Sequence, residues 1–82
     1  MSSSGEPTQR LDLIGEVCPY TFVRTRLTLE SMAIGETLRV VVDFEPATRN
    51  IPRSAREWGQ DVGEPVRRDD GAWTIDITKS AE

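Results

Sequence analysis

Four residues separate a short apolar run, Leu11–Ile14, from a proline that suits the first turn of a helix. Pro19 fixes its own φ near the helical value and lacks the N–H that a first-turn residue would leave unpaired. The run therefore reads as a strand that Gly15 ends, and the chain turns straight from it into a helix. Cys18 falls at the N-cap of that helix. Free backbone N–H groups and the positive end of the helix dipole favour an anion there, which stabilises thiolate over thiol and lowers the pKa. An isolated cysteine is more often an inert, buried small hydrophobe. A strand-to-helix corner is instead exposed and a common place for function, so a nucleophilic sulfur is expected.

The remaining elements follow from periodicity. The first helix is expected from Pro19 to about Ala33, with Phe22, Leu29 and Met32 on a buried stripe, Val23 and either Thr25 or Arg26 between them, and Gly35 as its stop. A second strand, Glu36 to Phe44, alternates Leu38, Val40 and Val42 with Thr37, Arg39 and Asp43. A second helix at about Ala47 to Trp58 carries Ile51, Ala55 and Trp58 on one face and stops at Gly59; Pro52 leaves Asn50 as a later start. A third strand over Asp61 to Arg68 places Val62 and Val66 in phase. Its Pro65 cannot donate to a ladder, which implies a sheet edge. Asp69-Asp70-Gly71 turns into a fourth strand, Ala72 to Thr78, with Trp73, Ile75 and Ile77 inward. The order βαβαββ predicts a two-layer α/β sandwich, a four-stranded mixed sheet with both helices on one face.

Composition narrows function. At 82 residues the chain is one small domain without room for a deep pocket, so its site is a surface feature. Residues 1–9 are polar and read as a disordered tail, leaving 10–79 as the single domain. One cysteine excludes an internal disulfide or dithiol cycle, so a partner's thiol must complete any redox cycle. The absence of histidine removes Cys-His proteases, Ser-His hydrolases and histidine-ligated metal sites, and neither a metal nor a cofactor is expected of this chain. A formal net charge of −4 disfavours general nucleic-acid binding and favours a protein partner. No apolar run is long enough to cross a bilayer and no signal-peptide pattern opens the chain, so the cytoplasm is the expected compartment. A hydrophobic fraction of 37% beside a charged fraction of 29% suits a monomer or a transient partner-binder more than an obligate oligomer.

The residues also carry a resemblance. Leu11-Asp12-Leu13-Ile14-Gly15-Glu16-Val17-Cys18-Pro19 resembles the opening signature of the TusA/SirA-like sulfur-carrier family, in which Leu-Asp-x-x-Gly-x-x-Cys-Pro leads into the first helix. Gly35-Glu36-Thr37-Leu38, Asp43 and Ile51-Pro52 resemble later family features in the same order. The resemblance spans about Leu11 to Thr78, and it implies the same topology, with the third strand at an edge. It also implies a sulfurtransferase in which Cys18 takes sulfur from a cysteine desulfurase or other persulfide donor. Cys18 holds it as a transient persulfide and passes it to a downstream relay protein in tRNA thiolation, molybdenum-cofactor assembly or sulfur oxidation. The motif residues Gly15, Glu16, Pro19, Tyr20 and Thr21 are then supporting residues, with Tyr20 as a partner anchor. Arg24 and Arg26 are candidates for thiolate or partner contact. A binding module without sulfur transfer, or an RNA-binding domain of the same fold, is the competing reading.

The chain departs from the family twice. The spacing near Glu45-Pro46 is shifted, and the usual Cys-Pro-x-Pro is Cys18-Pro19-Tyr20-Thr21. With Cys18 at the N-cap, Thr21 is N3, whose backbone N–H is the usual donor to a capping side chain. Proline lacks that donor. Thr21 is therefore either the source of a hydrogen bond to the Cys18 sulfur that the common motif cannot make, or simply a tolerated first-turn residue.

Overall fold

The computed structural model describes residues 7–16 and 20–81, except for the side chain of Tyr20. Five strands and two helices follow in the order β1 (Gln9–Asp12), α1 (Tyr20–Glu30), β2 (Thr37–Val42), α2 (Ala47–Trp58), β3 (Asp61–Val62), β4 (Val66–Arg67) and β5 (Trp73–Thr78). They form a two-layer α/β sandwich. The sheet runs β1-β2-β5-β3, and β4 also pairs with β5. β1 lies parallel to β2 with Leu11 opposite Val40; β2 and β5 are antiparallel with Val40 opposite Ile75. Alternation then places Leu38, Val40, Val42, Ile75 and Ile77 on one side, where they bury against Leu29, Met32, Ala47, Ile51 and Ala55. The other side surrounds a buried Val41 with polar side chains, and there Arg39 grips Asp76 directly across the strands with Nε–Oδ1 2.8 Å and Nη2–Oδ2 2.9 Å.

The expected third strand is divided. Val62 pairs with Ile77, but Val66 pairs with Thr74, so the 62–66 segment has one residue more than the facing stretch of β5. The extra residue is a bulge that reverses which side the chain presents. Val62 is therefore buried, whereas Val66, expected in phase with it, is 60% exposed. Pro65 sits between the two short strands, and β3 lies at the sheet edge.

Other boundaries move for local reasons. β1 begins at Gln9, inside the stretch read as a tail; residues 1–6 of that stretch lie outside the described residues. The first helix stops at Glu30 rather than Ala33. Its chain tightens into i→i+3 bonds, Ser31 N–H to Thr28 O at 3.1 Å and Met32 N–H to Leu29 O at 3.0 Å. The Ala33 N–H turns to Glu36 Oε1 at 2.8 Å, and Gly35, at φ +98°, serves the turn into β2. Leu29 and Met32 are buried as expected and Phe22 packs against the core, but the residues between them sort differently. Thr21, Thr25, Leu29 and Met32 face inward, while Val23 and Arg26 are exposed. α2 keeps its expected bounds with Pro52 buried inside it, and Gly59 at φ +100° ends it as Gln60 N–H reaches Ala55 O at 3.0 Å.

Gln60 closes the fold at its far end. It is buried, and Oε1 accepts the N–H groups of Ser80 (2.7 Å) and Ala81 (3.1 Å) while Nε2 donates to Ala81 O (2.8 Å). One side chain thus serves as the hydrogen-bonding partner of a strand end. Gln60→Leu is expected to lower stability by about 1–3 kcal/mol, because three bonds go and the freed backbone groups must reach water. Urea denaturation measures the loss, amide exchange localises it to residues 80 and 81, and Gln60→Glu, which loses only the donor, falls between.

Candidate functional site

The site grows from the end of β1. Leu13 N–H continues the parallel ladder to Val41 O at 2.8 Å, and the Leu13 side chain is fully buried. There the chain bends: Asp12 Oδ1 accepts the Ile14 N–H at 3.0 Å, and Glu16 N–H returns to Leu13 O at 3.0 Å. Gly15 adopts φ +87°, a conformation that side chains beyond glycine rarely take, although a Cβ there would meet nothing within 4 Å. Backbone conformation, not crowding, requires this glycine.

A second strand end braces the turn. Gly15 N–H donates to Asp43 Oδ1 at 3.0 Å, across 28 residues of sequence, so the carboxylate after β2 fixes the turn that leads to Cys18. Val17, Cys18, Pro19 and the Tyr20 side chain lie outside the described residues. The described structure resumes in α1 at Tyr20, with Thr21 fully buried and its carbonyl accepting Thr25 Oγ1 at 2.8 Å.

Charged candidates separate along α1. Arg24 Nη1 pairs with Glu16 Oε2 at 3.1 Å, tying the turn to the side of the helix. Both partners are well exposed, so the pair contributes at most about 1 kcal/mol, but it gives the Glu16 carboxylate, two residues before Cys18, a local counter-charge. Arg26 turns elsewhere: Nε pairs with Glu30 Oε2 at 3.2 Å, and its guanidinium lies 4.7 Å from the Trp58 ring centre at the end of α2. The α2 arginines also have local partners, Arg49 with Glu45 and Arg53 with Asn50.

Sequence reasoning attached no bracing role to Asp12 or Asp43. An aspartate within two residues of a glycine is a legible turn signal for Asp12. The Asp43 contact depends on the parallel register of β1 and β2, which no local pattern states.

The Thr21 expectation has a direct test. Thr21→Pro is expected to raise the Cys18 thiol pKa, because position 21 then has no N–H to donate to the sulfur. Thiolate absorbance followed against pH in both forms measures it, and an equal or lower pKa in the proline variant rejects the bond.

Comparison with known proteins completes the picture. The family described as Sulfurtransferase TusA matches residues 9–79. A protein of Archaeoglobus fulgidus named "Putative sulfur carrier protein" is 46% identical over 74 residues, covering 90% of this chain and 84% of that one. The similarly named TsuB of Escherichia coli is 31% identical over 72 residues, covering 88% and 96%. Among solved structures, a SirA-like protein from Desulfitobacterium hafniense superposes with a TM-score of 0.78 at 26% identity, covering 89% of this chain and 99% of that one. The match runs through every described strand and both helices, from Gln9 in β1 past the end of β5. The chain belongs to the TusA sulfurtransferase family, a family of sulfur carriers.

Proposed function

We propose that this chain is a persulfide relay: Cys18 accepts a sulfur atom from a donor protein and passes it to a second protein. The observation that carries the reading is the only cysteine of a TusA-family chain, placed just after a turn braced by carboxylates from two strand ends. In the accepting step the Cys18 thiolate attacks the outer sulfur of a donor persulfide. The new bond joins Cys18 to that sulfur, the donor's S–S bond breaks, and the donor leaves as a thiolate. Sulfur moves with no net electron change, so no cofactor is consumed. In the passing step the outer sulfur is attacked by the acceptor's thiolate and Cys18 leaves.

Exchange of this kind needs an accessible thiolate and room for a second protein, but no histidine and no second cysteine. That matches the composition of the chain. The site is expected to work on proteins rather than on an enclosed small substrate, with a cysteine desulfurase as the donor class and a thiol-bearing relay protein as the acceptor class. Mass spectrometry after incubation with a cysteine desulfurase and L-cysteine tests it. The peptide that holds Cys18 gains whole sulfur atoms, and dithiothreitol removes them. A chain that gains no sulfur from either a desulfurase or inorganic polysulfide is no carrier.

A further inference from the structure

We propose that the free edge of β1 pairs with the β1 edge of a second copy of this chain, antiparallel about Leu11, with Arg10 of each copy facing Asp12 of the other. The inference is independent of the relay reading. β1 has one neighbour in the sheet, β2, and no strand among the described residues pairs with its other border. In the parallel pairing that sets Asp12 opposite Val41, the ladder bonds of β1 run through its odd-numbered residues, as Leu13 N–H to Val41 O at 2.8 Å shows. The N–H and C=O groups of Arg10 and Asp12 therefore turn to the open border. An edge of this kind is a template for another strand. Ile14 N–H is already taken by Asp12 Oδ1, which ends the template there.

The side chains name the strand that fits. Arg10 and Asp12 are both exposed and stand on the side of the sheet away from the helices, because Leu11 between them packs against the core. Arg10 lies opposite Arg39, a like charge that Asp76 already holds, and among the described residues no carboxylate pairs with Arg10. An opposite charge on the open border is therefore favourable. A two-fold axis through Leu11 supplies it twice over: Arg10 meets Asp12 of the second copy, and Asp12 meets its Arg10. The same register lets each Arg10 and Asp12 exchange both backbone bonds, and it brings the two half-buried Leu11 side chains together in the close, non-hydrogen-bonded position. A parallel copy would set arginine against arginine, and nothing fixes the charges of a foreign strand in this order. The strand is only four residues long and the net charge of −4 on each copy opposes association. The contact falls well short of the roughly 800 Å² per partner of a stable dimer, so the pairing is reversible. Gly15 N–H bonds Asp43 on the β2 side, so the turn before Cys18 keeps its brace in the pair.

Sedimentation velocity of the full chain at concentrations up to about 1 mM, with amide exchange over the same range, tests the pairing. The native chain dimerises toward the upper end. Exchange at Arg10 and Asp12 slows as concentration rises, while Leu11, already bonded to β2, does not change. Arg10→Asp and Asp12→Arg each weaken self-association by about tenfold or more, because both cross-strand pairs become like-charged. Mixed in equal amounts, the two variants pair with each other, since each supplies the charges that the other lacks. If Asp12→Arg melts early because Ile14 loses its acceptor, Arg10→Lys against Arg10→Asp decides: lysine keeps the dimer and aspartate does not. A native chain that stays monomeric across the range overturns the proposal and leaves the edge to a strand of another protein. A dimer that Arg10→Asp leaves intact, or one whose Arg10 and Asp12 amides exchange at the same rate at every concentration, assigns the contact to another face and overturns it too.

Discussion

With serine in place of Cys18 the chain takes up no sulfur from any donor, while its thermal unfolding stays close to that of the native protein. The two halves of this expectation have separate causes. A serine hydroxyl is not ionised near neutral pH, and nothing in this histidine-free chain can serve it as an imidazole base, so the alkoxide needed to attack a donor persulfide does not form. No other thiol exists in the sequence to substitute for it. Structurally, serine is among the favoured N-cap residues and keeps whatever capping position 18 provides. Whole-chain mass spectrometry reads the first half and circular dichroism on heating the second. Cys18→Ala is expected to be equally inert toward sulfur, and its melting relative to Cys18→Ser measures the N-cap role that the sequence predicts for position 18. Sulfur retained covalently by the serine variant would contradict the assignment, because it would require an acceptor other than Cys18.

The largest loss of stability is expected from Ile75→Ala. Ile75 is fully buried in β5, the strand that joins β2 to β3 and β4, and it faces the equally buried Val40 across the sheet. Truncation removes the transfer energy of the side chain and leaves a cavity between sheet and helices that neighbours held on both sides cannot close. Such changes cost about 2–5 kcal/mol, against a total of roughly 5–15 kcal/mol for a domain. At about 4–8 °C per kcal/mol for a domain of this size, the melting temperature falls by roughly 10–30 °C. Ile75→Val, which removes one methylene, costs about 0.5–1.5 kcal/mol and gives the internal scale. Calorimetry of the three forms measures both steps. An alanine variant no less stable than the valine one would mean that the helices settle into the space, contrary to the tight two-layer packing.

The parts of this molecule that could be read from sequence are those whose cause lies within one element. α2 keeps its expected bounds because Ile51, Ala55 and Trp58 repeat at helical spacing and Gly59 supplies the left-handed stop. β5 and most of β2 alternate, so their inward residues were identifiable one by one; Val41, buried on the opposite side, is the exception in β2. The turn glycine at Gly15, ahead of Cys18, was legible for the same reason. Failures arise where two periodicities or two distant segments decide. α1 is apolar on both sides, so the 3.6-residue repeat did not say that Val23 faces solvent and Thr25 the core. Val66 changes side because of a bulge set by its pairing with β5, and nothing between Gly63 and Pro65 states that register. The Asp43 brace joins residues 28 apart and exists only once β1 and β2 have aligned.

The position of β5 also has a consequence for how the molecule is made. The last of the described strands lies inside the sheet, whereas the first, β1, lies at an edge. During synthesis, β1, α1, β2 and α2 leave the ribosome with the longest border of β2 still unpaired, and β3 and β4 have nothing to join. Closure waits for the 73–78 segment, so assembly is a late and nearly all-or-none event rather than a gradual one. Until then Asp43 has no settled strand behind it, and the Gly15 turn lacks its brace.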